Sequence, residues 1–250
     1  MEKNERQTNY GSLLLHIPHS STVVPECRCN PKTFDEEEWK LIDWYTDKLF
    51  VPDKKNRRID AAVFPYCRLF CDVERLSDDP LETKGLGISY ERTLVDGTKR
   101  TWGQRDNAYK EYARHHHNMV EKITSKRPDT SDNLLLIDCH SFSALPNLLN
   151  ANPPKDIDIC IGFNEDSTKP SEAVIEEIRN HFLSKGYNVE INRPFSNSKT
   201  FDVPEGTAYH SVMIEVSKKL YMDEATLKPT DGFARLHRDI QGLYDMLLRK

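Results

Sequence analysis

Four short stretches of this chain carry side chains that could do chemistry together, and each sits at or just past an apolar run. "HIPHSS" supplies His16 and His19, "DVERLSDD" supplies Asp72, Glu74 and Arg75, "DCHS" supplies Asp138 and His140, and "IEVSKK" supplies Glu215. Neutral imidazole and carboxylate are the ligands of a catalytic zinc, which takes three protein groups and keeps one position for water. Such a metal lowers the pKa of its water to about 7, and a nearby glutamate can take the proton and pass it to a leaving amine. In this scheme His19 and His140 are metal ligands. Asp138 lies two residues before His140, on the same face of an extended strand, where it would orient the ligand imidazole from behind.

Glu215 falls inside the apolar run "VMIEV". It is either salt-bridged within a sheet or kept for a task, and acids are almost never fully buried without one or the other. Perturbed carboxylates cluster at functional sites, so we favour a task for Glu215 over a salt bridge. Arg75 offers a planar fork suited to a substrate carboxylate, the alternative being an ion pair with Asp78 or Asp79. The run "ARHHHNMVE" cannot place three imidazoles on one ion, because successive helical residues point about 100° apart. We expect His116 or His117 to approach the site and the rest to face solvent.

These groups need a scaffold. The 250 residues are enough for one domain with one core, with 37% hydrophobic and 30% charged residues, as in an ordinary globular protein. The net charge of -5, with Lys and Arg scattered, leaves no footprint for nucleic acid. The opening "MEKNERQTNYGS" lacks the apolar core of a secretion signal, and no segment approaches the roughly 20 apolar residues of a membrane span, so no membrane association and a cytoplasmic location are expected. Cys27, Cys29, Cys67, Cys71, Cys139 and Cys160 fit reduced core residues, since C-x-C and C-x-x-x-C match metal knuckles poorly.

Short apolar runs alternating with helical patterns predict an α/β fold with a mixed, mostly parallel sheet covered on both faces. Strands are expected at 12–17, 67–73, 86–93, 134–139, 157–163, 187–192 and 211–216. Helices are expected over "FDEEEWKLIDWYTDKLF" (34–50), 104–126, 170–185 and 224–249. The stretches "PNLLNANPPKD" and "NRPFSNSKTFDVPEGTAYH" should be loops. Ligands of open α/β sheets bind at the carboxyl ends of strands, where the candidate residues fall.

Taken in order, "HIPHSSTVVPE", "LIDWYTDKLF", "RLFCDVERLSDDPLE", "LLLIDCHSFSALP", "DICIGF" and "IEVSKKLYMDE" resemble the N-formylglutamate amidohydrolase family over nearly the whole chain. The resemblance implies a zinc-carboxypeptidase-like, three-layer α/β/α fold forming a single catalytic domain over residues 1–250. It also implies zinc-dependent hydrolysis of an amide on an acidic amino acid. By motif, His19 and His140 match the two histidine ligands and Glu215 the general base and acid. Glu74 and Arg75 stand where the family has an Asn-Arg pair, which makes both substrate-binding candidates, with Arg75 as the carboxylate clamp.

Three departures stand out. The related carboxypeptidases take a third ligand three residues after the first histidine, and Thr22 cannot supply it. We nominate Asp43 instead, with Asp47 as runner-up, on neighbouring turns of one helix. "PFSNSKTFDVP" carries Asn197 where a glycine is common, and "EVSKK" carries Lys218 where an Asn-Arg pair follows the glutamate. The reading is a zinc amidohydrolase removing an N-acyl group, formyl first among them, from an acidic or similar amino acid. Its rivals are a carboxypeptidase-like hydrolase of short peptides and a metal-free binding protein.

Overall fold

The structure is a computed structural model that describes residues 9–25, 35–76, 78–99, 105–125 and 133–248. Four apolar runs become parallel neighbours: β1 (Ser12–Ile17), β2 (Ile59–Val63), β3 (Leu134–Phe142) and β6 (His210–Ser217). Beside β6 run β4 (Ile159–Gly162) and β5 (Val189–Ile191), parallel to each other and antiparallel to β6. The six-stranded order is β2-β1-β3-β6-β4-β5. Every residue of β1 and β3 is buried. Strands covered on both faces need such near-continuous apolar runs, and each fully buried Leu or Ile contributes roughly 1.5–3 kcal/mol.

One face of the sheet presents Leu13, Leu15, Ile137, Cys139, Val212 and Ile214 to α2 (Thr46–Phe50), α4 (Glu172–Leu183) and α5 (Gly232–Leu247). The other face presents Leu14, Leu134 and Leu136 to Met119 and Ile123 of α3 (Arg105–Thr124) and to Phe201 and Tyr209. The result is a three-layer α/β/α arrangement around a mixed, mostly parallel sheet, as expected. Because side chains alternate along a strand, Cys139 joins the first core while Asp138 and His140 turn to the second face. Among the described residues no helix is long and apolar enough to cross a membrane.

Several expected elements differ. No strand forms over 67–73. Its apolar residues are buried, but Phe70 N and Cys71 N both bond Cys67 O in a tight turn. Burial there comes from packing over the sheet's end, which apolar content alone cannot distinguish from a strand. Residues 86–93 make only the isolated bridges Leu86 to Tyr90 and Arg92 to Lys99. The edge strand β2, "IDAAV", is half exposed and was not expected. The helix expected over 34–50 is broken into α1 (Glu36–Trp39), with an Asp35/Glu38 capping box, and α2, with Tyr45 between them at a left-handed φ of 66°. The helix expected from 224 begins at Gly232, because Met222–Asp223 and Lys228–Pro229 pair as a short hairpin, β7 and β8. Cys71, Cys139 and Cys160 are free and buried and Cys67 is buried, whereas Cys27 and Cys29 lie outside the described residues.

Candidate active site

At the carboxyl end of β1 the chain passes Pro18 and buries His19, which is 2% exposed. The carbonyl of His19 accepts the backbone N–H of Asp43 at 3.1 Å, and Thr46 donates from N and Oγ1 to Asp43 O at 3.2 and 2.8 Å. These bonds hold Asp43 in the irregular segment between α1 and α2. The break in the expected helix therefore delivers a buried carboxylate to His19. Asp47 stays in α2 and belongs to neither cluster of candidate ligands among the described residues.

His19, Asp43 and His140 form one such cluster, their ligating atoms all within 4.8 Å of one another. Asp43 Oδ2 lies 3.2 Å from His140 Nδ1 and 3.7 Å from His19 Nδ1, and the two rings are 5.2 Å apart between centroids. The outer nitrogens rest on other acids. His19 Nε2 is 2.9 Å from Asp72 Oδ1, and His140 Nε2 is 3.1 Å from Asp138 Oδ1. Each imidazole thus has a carboxylate behind it and its second nitrogen turned toward Asp43, the arrangement in which a partner behind a metal-binding histidine selects its tautomer.

Among the described residues His19 Nδ1 is sealed from solvent and has no hydrogen-bond partner. An orphaned buried nitrogen costs about 1–3 kcal/mol, so a donor set with one member unsatisfied fits a cation at its centre. Charge points the same way. Burial alone would raise the pKa of Asp43, but the hydrogen bond from His140 and the nearby His19 and Lys218 hold it well below the usual carboxylate range. Burial likewise disfavours charge on Asp138 and His140, yet their mutual attraction keeps the acid ionised and raises the imidazole. A bound cation would replace the proton on the inward nitrogen.

Glu215 stands beside His140, its register partner across β3 and β6, so both side chains leave the sheet on the same face. Its Oε2 is buried and lacks a hydrogen-bond partner among the described residues. Burial raises its pKa to about 8, with Asp43 and Asp138 adding to the rise and His140 and Arg68 opposing it. No basic residue salt-bridges Glu215 among the described contacts, leaving it available for proton transfer.

These groups open into a cleft of about 700 Å³ whose wall includes Arg68, Glu74, Arg75, Lys199 and Lys218. Arg75, in the cleft wall, has Nε 3.8 Å from Asp72, Nη1 3.6 Å from Asp79 and Nη2 3.4 Å from the hydroxyl of Tyr90. Glu74 Oε1 lies 3.3 Å from His16 Nδ1. Lys199 Nζ donates to Glu74 O at 3.2 Å and Lys218 Nζ to Lys40 O at 2.8 Å, which ties down two buried lysines of the cleft wall. Gly162 on β4 permits the far wall. A Cβ there would come within 2.5 Å of Asn197 O and 2.4 Å of Met213 Cε.

All the predicted site residues therefore converge on one face at the ends of β1, β3 and β6. Sequence reasoning missed Asp72 as a partner of His19, and Arg68, which donates to Asp72 Oδ2 at 2.9 Å. The signal available was an acid inside the apolar run "LFCDV". It also chose the wrong member of the histidine run. His115 is the inward one, 6% exposed, while His116 is half-buried against Val73 O and His117 is exposed. Helical phase, set by Met119 and Ile123 facing the sheet, decides this.

The family described as N-formylglutamate amidohydrolase matches residues 11–222. A solved N-formylglutamate amidohydrolase from Ralstonia eutropha JMP134 superposes with a TM-score of 0.71 at 21% identity, covering 98% of this chain and 93% of that one. A gene product of Agrobacterium tumefaciens superposes with a TM-score of 0.57 at 14% identity, covering 96% and 92%. No curated protein matches the chain in sequence.

Proposed function

The chain belongs to the N-formylglutamate amidohydrolase family and is an amidohydrolase acting on amide bonds, and from that premise we propose a zinc-dependent enzyme that removes an N-acyl group, formyl first among them, from an acidic or similar amino acid. The observation that carries the metal is the buried, unpartnered Nδ1 of His19 facing Asp43 and His140. Zinc held by these three residues would polarise the amide carbonyl and make hydroxide available near neutral pH.

The protein's own groups do the rest. Arg75 receives the substrate carboxylate through its fork, and Glu74 beside it borders the amino-acid portion. Glu215 takes the proton of the attacking water on Oε2 and delivers it to the departing nitrogen. The amide C–N bond breaks, hydroxyl joins the acyl carbon, and the nitrogen leaves as the free amine. Asp138 and Asp72 keep the two histidines oriented throughout. The partner is thus a small N-acyl amino acid, handled by one catalytic domain.

The cleft also favours a second reading, because about 700 Å³ is ample for more than a formyl amino acid. Short N-acyl peptides are therefore part of the test. Zinc-loaded protein is assayed against N-formyl, N-acetyl and longer N-acyl forms of glutamate and aspartate, and against dipeptides, by release of free amine. Turnover of an N-acyl amino acid supports the proposal. Turnover of peptides alone selects the carboxypeptidase-like reading, and no turnover of any substrate contradicts both.

A further inference from the structure

Behind the first cluster lie two histidines, His16 and His115, that none of the chemistry above uses. His16 is completely buried and is the register partner of Asp138 across β1 and β3. Its Nδ1 lies 2.8 Å from Asp138 Oδ1, and its Nε2 lies 2.8 Å from Nε2 of His115 on α3. Phe201 packs edge-on against the His16 ring at 5.5 Å, and Phe64 against the His115 ring at 5.1 Å. Three elements, β3, β1 and α3, are thus joined by a line of side chains running from His140 through Asp138 and His16 to His115.

His16, Glu74 and Asp138 also satisfy the distance requirement for a metal. Hydrogen bonding separates the two clusters. Asp138 Oδ1 accepts from His16 at 2.8 Å and His140 at 3.1 Å, and Oδ2 accepts the backbone N–H of Lys199 at 2.9 Å. Both nitrogens of His16 are engaged. Only Glu74 Oε1 lacks a well-aligned bond, 3.3 Å from the nitrogen that Asp138 already holds. A cation here would have to break bonds already made, whereas the His19 cluster has a nitrogen waiting for one.

Resting on the metal centre proposed above, we propose that His16 and His115 are positioning residues that lock Asp138, and through it the Nε2–H tautomer of His140, leaving His140 Nδ1 free for the metal. His16 Nδ1 faces two carboxylates and must carry its hydrogen, so it donates to Asp138. That donation and the Lys199 N–H fix the carboxylate plane, and His140 can meet Oδ1 only as a donor from Nε2. His115 keeps the His16 ring from swinging away, since a buried imidazole with one fixed bond still rotates about its side-chain torsions.

The test is zinc affinity, read by competition with a chromophoric chelator, for the full-length protein and two variants. His115→Phe keeps ring volume among Phe64 and Phe201 but removes the bond to His16, whereas His115→Gln keeps a polar group within reach. One zinc per chain is expected in the wild type, bound about tenfold more weakly by His115→Phe, at the low end for groups behind a ligand, and largely restored by His115→Gln. Melting temperature checks folding, and His16→Asn, too short to bridge Asp138 and His115, replaces a variant that fails to fold. Equal affinity in wild type and His115→Phe overturns the proposal. Two zincs per wild-type chain overturn it in favour of a second metal site on His16, Glu74 and Asp138. No zinc in the wild type removes the metal centre itself, and the positioning role with it.

Discussion

Glu215 on β6 is the register partner of His140 on β3, so a candidate proton carrier and a candidate metal ligand project from adjacent parallel strands onto the same face. Backbone hydrogen bonding sets their separation, without help from a mobile loop. Glu215→Gln preserves shape and removes the base. Turnover should fall about 10²- to 10⁴-fold with KM little changed, as steady-state kinetics on the best N-acyl amino acid would record. A large rise in KM with turnover intact would assign Glu215 to binding instead.

Burial of Glu215 also predicts a pH signature of the zinc-free protein. Its pKa rises from the ordinary 4.5 to about 8 in the fold, with burial the main cause. Below the ordinary value the group is neutral in both folded and unfolded states. Above it the unfolded state loses the proton first, so the group's contribution declines with rising pH until the folded carboxyl has also ionised, near 8. Chelator-treated Glu215→Gln should therefore melt above wild type by a margin that widens between pH 5 and 9. Thermal melts across that range check it, and a constant margin would show that the carboxyl is already ionised at neutral pH.

Arg75 tests the carboxylate clamp. Arg75→Lys keeps the charge and loses the fork, so KM for N-acyl amino acids should rise about tenfold, the equivalent of about 1.4 kcal/mol, with kcat largely held. The amide of the same substrate, lacking the carboxylate, should be nearly insensitive to the substitution.

Gly162 tests the far wall of the cleft. The Cβ of Gly162→Ala would meet the backbone oxygen of Asn197, which has little freedom to yield. Such overpacking costs typically 1–3 kcal/mol. A lower melting temperature together with a raised KM is expected, because the displaced segment carries Phe195 to Thr200 along the cleft.

Much of this was legible from residue types. The buried parallel strands showed as apolar runs, and the polar residues ending them, His19, Asp138, His140 and Glu215, share one site. What could not be read was irregular. The segment 67–73 is as apolar as a strand, yet it curls into a turn that brings Asp72 under His19. The local pattern places Asp43 on a continuous helix, whereas it reaches His140 because that helix breaks at Tyr45. The break follows from the backbone bond between Asp43 N and His19 O, a long-range contact that no local pattern encodes. His115 was passed over for its neighbours because a run of identical residues hides its own phase until the packed face of the helix is known.

The proposed hydrolysis depends most on one ion held by His19, Asp43 and His140. Elemental analysis of untagged protein, after incubation with zinc and removal of excess, tests it beside Asp43→Asn and His140→Ala. About one zinc per wild-type chain is expected, with substantial loss in both variants and folding verified by melting temperature. A zinc-free wild type, or zinc retained in full by both variants, would contradict it.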